Sequence, residues 1–242
     1  VAISKQFLAT IMIPITDDFY SLKKPNITYV IIGINLVIFC AQFMWDVNGQ
    51  LGNFVNSWTT IPREFSRTIS SAIDDSLAAW VVVGWQLFTL PISLFIHGSF
   101  AQLLGNMLFL WVFGRTLERT IGSYQFLLLY LTAGVLVGII EIFTQPQLTA
   151  PVIGSTGAIA CIVGAYVMKF PQIKIYSVLP LVIVFIPLEI PAMFYLFWWF
   201  IQQFFYGIGG LNIPGGFNNC SYGSQLIALL MGVVFMRIVG FR

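Results

Sequence analysis

The sequence predicts an all-α membrane protein, a bundle of six transmembrane helices, and three observations carry that prediction. Of its 242 residues, 58% are hydrophobic and only 8% are charged, where a soluble domain carries about a quarter charged residues. Six apolar runs, alone or with their flanks, suit a hydrocarbon core of about 30 Å. The basic residues then gather at one end of those six runs.

The chain divides into an N-terminal segment, residues 1–26, and a membrane domain, residues 27–242. The first span is Ile27 to Trp45, "ITYVIIGINLVIFCAQFMW". The stretch 46–93 is long yet not uniformly polar, with Trp58, Trp80 and Trp85 interspersed with Phe54, Phe65 and Phe88. Aromatic residues so distributed predict a loop lying in the membrane interface. Leu103 to Phe113 with its flanks is the second span, Tyr124 to Phe143 the third and Val152 to Phe170 the fourth. The run from Ile175 to Tyr206 is too long for one span and is interrupted by Pro180, Pro187 and Pro191. It reads as a buried loop or half-helix leading into a fifth span, Ile190 to Tyr206. Tyr222 to Val239 is the sixth.

Six spans place both termini on one side, and the basic residues test that proposal. Lys5, Lys23 and Lys24 precede span one, Arg115 and Arg119 follow span two, Lys169 and Lys174 follow span four, and Arg237 and Arg242 follow span six. That is nine of eleven; only Arg63 and Arg67 lie opposite. The positive-inside rule assigns the basic side to the cytoplasm or its organellar equivalent. A net charge of +2, so dispersed, gives no footing for a nucleic-acid partner. Cys40, Cys161 and Cys220 lack metal-type spacing and read as small packing residues. No cofactor or metal is expected, and the partners expected are membrane lipids and other helices.

Polar side chains inside spans are costly, so each needs a partner or a function. His97, the single histidine, stands at the entry to span two, and Gln102 and Asn106 follow on one face of that helix. Span four brings Ser155 and Thr156; span six brings Ser221, Ser224 and Gln225. These groups lie near the same ends of three spans and are expected to converge on one polar cavity. Glu141 and Glu189 look peripheral, and no charge-lined path suggests a transporter.

Longer patterns sharpen this reading. The stretches "MIPITDDFYSLKKPNITYVIIGINLVIF", "HGSFAQLLGNMLFLWVFGRTLERTIG" and "IPAMFYLFWWFIQQFFYG" resemble the N-terminal lead, the span-two signature and span five of the rhomboid family of intramembrane serine proteases. The resemblance runs over nearly the whole chain and implies a six-helix rhomboid bundle. In that family a serine in G-[AS]-S-G opens span four, a histidine in span six activates it, and the second histidine and the asparagine of span two donate to the oxyanion. A hydroxyl needs such a base to become a nucleophile, and preorganised donors must meet the developing charge.

Carried over residue by residue, the resemblance places Thr156 at the nucleophile position, Gln225 at the base position and Gln102 at the first oxyanion position. Asn106 remains as the other oxyanion residue, and His97 keeps a position that is structural in the family. An amide has no usable protonation equilibrium near neutrality, so Gln225 cannot act as a general base. The extra methyl of Thr156 restricts its rotamer and crowds an approaching carbonyl. Ser155 is rotated from it by about 100° and is a poor substitute. Loss of the base removes several powers of ten in rate.

The implied function is therefore that of a rhomboid-like pseudoprotease, which binds transmembrane segments of partners as a regulator, chaperone or subunit of a membrane complex. The alternative is an atypical serine/threonine intramembrane protease using Thr156 with another base. A Thr156 to Gln225 hydrogen bond is expected to replace the dyad. Gly154, Gly157 and Gly164 allow span four to approach a neighbour closely. The paired glycines of span six have become Ile227 and Ala228, which predicts a looser or shifted contact. Partner contact is expected on span five, through Trp198, Trp199 and the adjacent amides Gln202 and Gln203.

Overall fold

The computed structural model describes residues 13–19, 21, 24–74, 77–181, 184–203 and 222–239. The first apolar run forms α1, Asn26–Val47, whose 22 residues extend for about 33 Å. Thr28, Asn35 and Gln42 recur every seventh residue and are fully buried, while Val30, Val37, Phe43 and Met44 face outward. A helix in water shows the reverse, polar out and apolar in. This inversion is what lipid surroundings impose, because hydrocarbon offers a polar side chain no partner.

The 46–93 stretch departs from the expected loop. It forms three helices, α2 (Leu51–Trp58), α3 (Pro62–Ile73) and α4 (Leu77–Ser93). The α3 helix buries Phe65 and Ala72 and exposes Arg63, Glu64 and Arg67, a 3.6-residue period that the scattered aromatics obscured. By contrast α4 exposes Leu77, Trp80, Val81, Trp85 and Phe88. An outward face so uniformly apolar suits lipid better than water.

Span two is one continuous rod built from α5 (Phe100–Phe109), a π-helical turn (Leu110–Gly114) and α6 (Arg115–Ile121). Next comes α7, Ser123–Thr144, and then α8, Thr156–Lys169. The α8 helix has only 14 residues, and all from Thr156 to Val167 are buried. It is the centre of the bundle, where neighbours rather than lipid cover its ends. The last two helices are α9, Ala192–Gln203, and α10, Tyr222–Val239. Among the described residues α1 and α7 are each long and apolar enough to cross a membrane alone, whereas α4 and α8 are shorter apolar helices.

The run after span four is not the expected buried loop or half-helix. It forms an antiparallel hairpin of β2 (Lys174–Leu181) and β3 (Val184–Pro191), with β1 (Ile13–Asp17) on the other edge of β2. The prolines explain the choice. Pro would break a helix interior, but Pro187 and Pro191 lie on the edge strand, and among the described residues the pairing of β1 with β2 ends at Val178, short of Pro180. Tyr166 Oη donates to Asp17 Oδ2 at 2.7 Å, tying the sheet to α8. The Lys174–Glu189 pair at 2.8 Å is half exposed and adds little stability.

The closest helix contact is between α8 and α10. A Cβ on Gly164 would lie 2.1 Å from the Leu229 carbonyl oxygen, and one on Gly232 would lie 1.9 Å from that of Cys161. Of the two outcomes expected from Ile227 and Ala228, a looser or a shifted contact, the structure shows the second: the contact is tight and carried one turn later by Gly232.

Candidate functional site

The site begins where the chain turns into α8. Gly154 has φ +90°, and a Cβ there would lie 2.6 Å from Gln102 Nε2. Only glycine meets both demands. Its N–H donates to the Ser93 carbonyl at 2.9 Å, which joins this turn to the end of α4. Gly157 packs its bare Cα against Val137 of α7, whose Cγ1 would lie 2.5 Å from an added Cβ.

Opposite this turn, Ser99 caps α5 by accepting from the Gln102 N–H at 3.0 Å. The Gln102 side chain folds back, its Oε1 accepting from the Gly98 N–H at 2.9 Å. Its Nε2 then points to Thr156 Oγ1 at 3.4 Å. Asn106, one turn along α5, places Nδ2 3.3 Å from the same oxygen and 3.1 Å from His97 Nε2. The Thr156 hydroxyl donates in return to Asn106 Oδ1 at 3.5 Å. Contacts this long are individually weak. Together they surround the hydroxyl with two amides.

The structure thus brings Thr156, Gln102 and Asn106 together, but with a different pairing from the one expected. Among the described residues the hydrogen bonds of Thr156 run to span two, not to Gln225. Gln225 is buried on α10 beside Ser224, whose hydroxyl donates to Glu141 Oε1 at 2.8 Å. Glu141 is accordingly not peripheral, since it ties α7 to α10.

His97 is more central than its position at the entry to span two suggests. It is fully buried, and its Nε2 lies 3.4 Å from Ser155 Oγ as well as 3.1 Å from Asn106. With Asn106 Nδ2 as the donor, Nε2 is the accepting nitrogen of that pair. Its backbone is clamped by Gln42 of α1, which accepts from the His97 N–H at 3.0 Å and donates to its carbonyl at 2.9 Å. Sequence reading missed Gln42; the signal available was its seven-residue spacing from Asn35 and Thr28. Replacing Gln42 by Leu leaves two buried backbone groups unpaired and is expected to cost about 2 to 4 kcal/mol. A thermal midpoint equal to that of the wild type would contradict this clamp.

The span-five residues distribute differently from expectation. Trp198 and Trp199 are buried rather than outward, with the Trp199 ring 4.7 Å from that of Phe109. The outward face of α9 is Met193, Phe194 and Phe197. A helix aromatic on all sides carries no sequence signal for which face turns inward. The side chains of Gln202 and Gln203, at the end of α9, lie outside the described residues. Among the described residues no three His, Cys, Asp or Glu side chains cluster as metal ligands do.

The family description "Rhomboid domain" matches residues 83–241. The chain is 34% identical over 142 residues to the Rhomboid protease GluP of Bacillus subtilis, covering 59% of this chain and 24% of that protein. It is 28% identical over 179 residues to the mitochondrial presenilin-associated rhomboid-like protein A of Danio rerio, covering 72% of this chain and 41% of that protein. It is 23% identical over 161 residues to the mitochondrial Rhomboid protein 1 of Saccharomyces cerevisiae, covering 65% and 40%. The matches thus span a quarter to two fifths of these curated relatives' own lengths.

Proposed function

The chain belongs to the rhomboid family, and from that premise we propose that it is a pseudoprotease, a rhomboid bundle that binds transmembrane segments of other proteins without cutting them. The observation that carries this reading is the pairing at the family's reactive positions. The nucleophile position holds a threonine whose hydroxyl is engaged by Gln102 and Asn106, and the base position holds the amide of Gln225. An oxygen so engaged, with no base to take its proton, is a hydrogen-bonding group rather than a nucleophile.

In this reading six spans cross the bilayer, with both termini on the cytoplasmic side or its organellar equivalent. The amides hold span two to span four, so the polar centre is closed and structural. Binding falls to the lipid-facing surface, where Met193, Phe194 and Phe197 present the outward side of span five to a client or subunit helix. Gln202 and Gln203 would supply the polar contacts of that recognition.

A second reading rests on His97, whose Nε2 lies 3.4 Å from the Oγ of Ser155, the residue before Thr156. It would make this an atypical hydrolase with an internal serine and base. One experiment separates the two. The purified protein is treated with a fluorophosphonate probe and given a single-span helical substrate in lipid. The pseudoprotease reading expects neither labelling nor cleavage, and the same helix retained by wild type and Thr156→Ala. Cleavage lost in Thr156→Ala, or labelling at Ser155 lost in His97→Ala, overturns it.

A further inference from the structure

The outer surface of α1, α2 and α4 contains a feature that the site does not use. A slot of about 280 Å³ is lined by Ile38, Ala41 and Trp45 of α1, Phe54 and Trp58 of α2, and Ile92 of α4. The three α1 residues follow at i, i+3 and i+7, a single stripe of that helix. Trp45 stacks on Phe54 with ring centres 4.1 Å apart, and Trp58 leans on Trp85 at 5.7 Å. Five of the six lining residues are half buried, and Trp58 is exposed.

We propose that this slot holds one acyl chain of a membrane phospholipid. The lining is apolar throughout, so water inside it would find none of the two to four polar partners it needs. Left unfilled, the slot would deny its walls dispersion contacts. An alkyl chain is apolar along its whole length and matches a lining that offers no polar group. The slot is also continuous with surface that already faces lipid. Val37 and Met44 of α1 lie beside the lining stripe of that helix, and Trp85 and Phe88 of α4 are likewise exposed. Two of its lining residues are tryptophans, Trp45 and Trp58, and Trp85 leans on Trp58; such rings suit the headgroup boundary, where an amphipathic ring is at home.

The test is native mass spectrometry of the purified full chain through stepwise delipidation in detergent. One phospholipid is expected to stay bound after the bulk lipid is removed. Ala41→Trp, which fills the slot from within, is expected to lose that lipid. Val37→Trp, on the lipid-facing side of the same helix, is expected to keep it. Should Ala41→Trp fail to fold, the unmodified protein in nanodiscs of phosphatidylcholine with dibrominated acyl chains provides the second measurement, with bromine density expected inside the slot. Equal retention by wild type and Ala41→Trp, or a slot lacking bromine density or occupied by a side chain of a second copy, overturns the proposal.

Discussion

Gly232→Ala is expected to lower the stability of the bundle more than any other single-methyl change in the described helices. The added Cβ would lie 1.9 Å from the Cys161 carbonyl oxygen and 2.8 Å from the Ala165 nitrogen. These are backbone atoms of α8, which no rotamer change can move aside, so the helices themselves must separate. Gly164 faces the reciprocal problem against Leu229. The cost is set at the upper end of overpacking, about 3 kcal/mol, or a fall of about 10 °C in thermal midpoint for a chain of this size. The contrast that isolates the mechanism is Gly33→Ala, where nothing lies within 4 Å of the new carbon. That substitution is expected to be neutral or to stabilise by about 1 kcal/mol, since alanine favours the helix. Equal effects at the two positions would refute close packing as the cause.

Glu118→Ala is the second large loss to be expected. The Glu118 carboxylate is buried at the start of α1 and accepts four hydrogen bonds: from the backbone N–H of Ile27 at 3.0 Å, the N–H of Thr28 at 2.8 Å, the Thr28 hydroxyl at 2.7 Å and the Ser123 hydroxyl at 2.5 Å. Pro25 precedes the helix and offers no capping side chain. Two of the orphan N–H groups of α1, those of Ile27 and Thr28, are therefore satisfied by a residue some 90 positions away. A carboxylate there also opposes the positive end of the helix dipole. Its removal leaves several buried donors without an acceptor, a cost of about 3 to 5 kcal/mol. Glu118→Gln is expected to recover only part of it, because an amide turns N–H groups towards donors. Thermal unfolding together with hydrogen exchange at residues 26–30 reads both effects, and unchanged protection of those amides in Glu118→Ala would exclude the capping role.

The helical spans were legible because lipid allows few solutions. A backbone crossing hydrocarbon must bond to itself, so an apolar run of sufficient length reads directly as a helix, and the expected spans at α1, α7 and α10 differ from the observed helices by at most two residues at either end. The 46–93 stretch and the β2–β3 hairpin escaped for the opposite reason. Short apolar segments satisfy strand, helix and loop alike, and only packing against α7 or pairing with β1 selects among them. The site residues were legible as types, through spacing and resemblance. Their partners were not: Gln42 meets His97 across 55 positions, and nothing local to either residue announces it.

The chemistry carried within each side chain can be read from the order of residues alone. Glutamine at position 225 and threonine at position 156 bring an amide and a hindered hydroxyl to the family's reactive positions wherever the chain folds, because protonation behaviour and branching belong to the residue. Which groups meet depends on the folded structure. It turned Gln102 and Asn106, not Gln225, onto Thr156, set Trp198 and Trp199 inward, and put the tightest helix contact on Gly232. Those outcomes depend on distances between segments far apart in the chain, and a hydrogen bond or a steric contact changes sign within an ångström of such a distance.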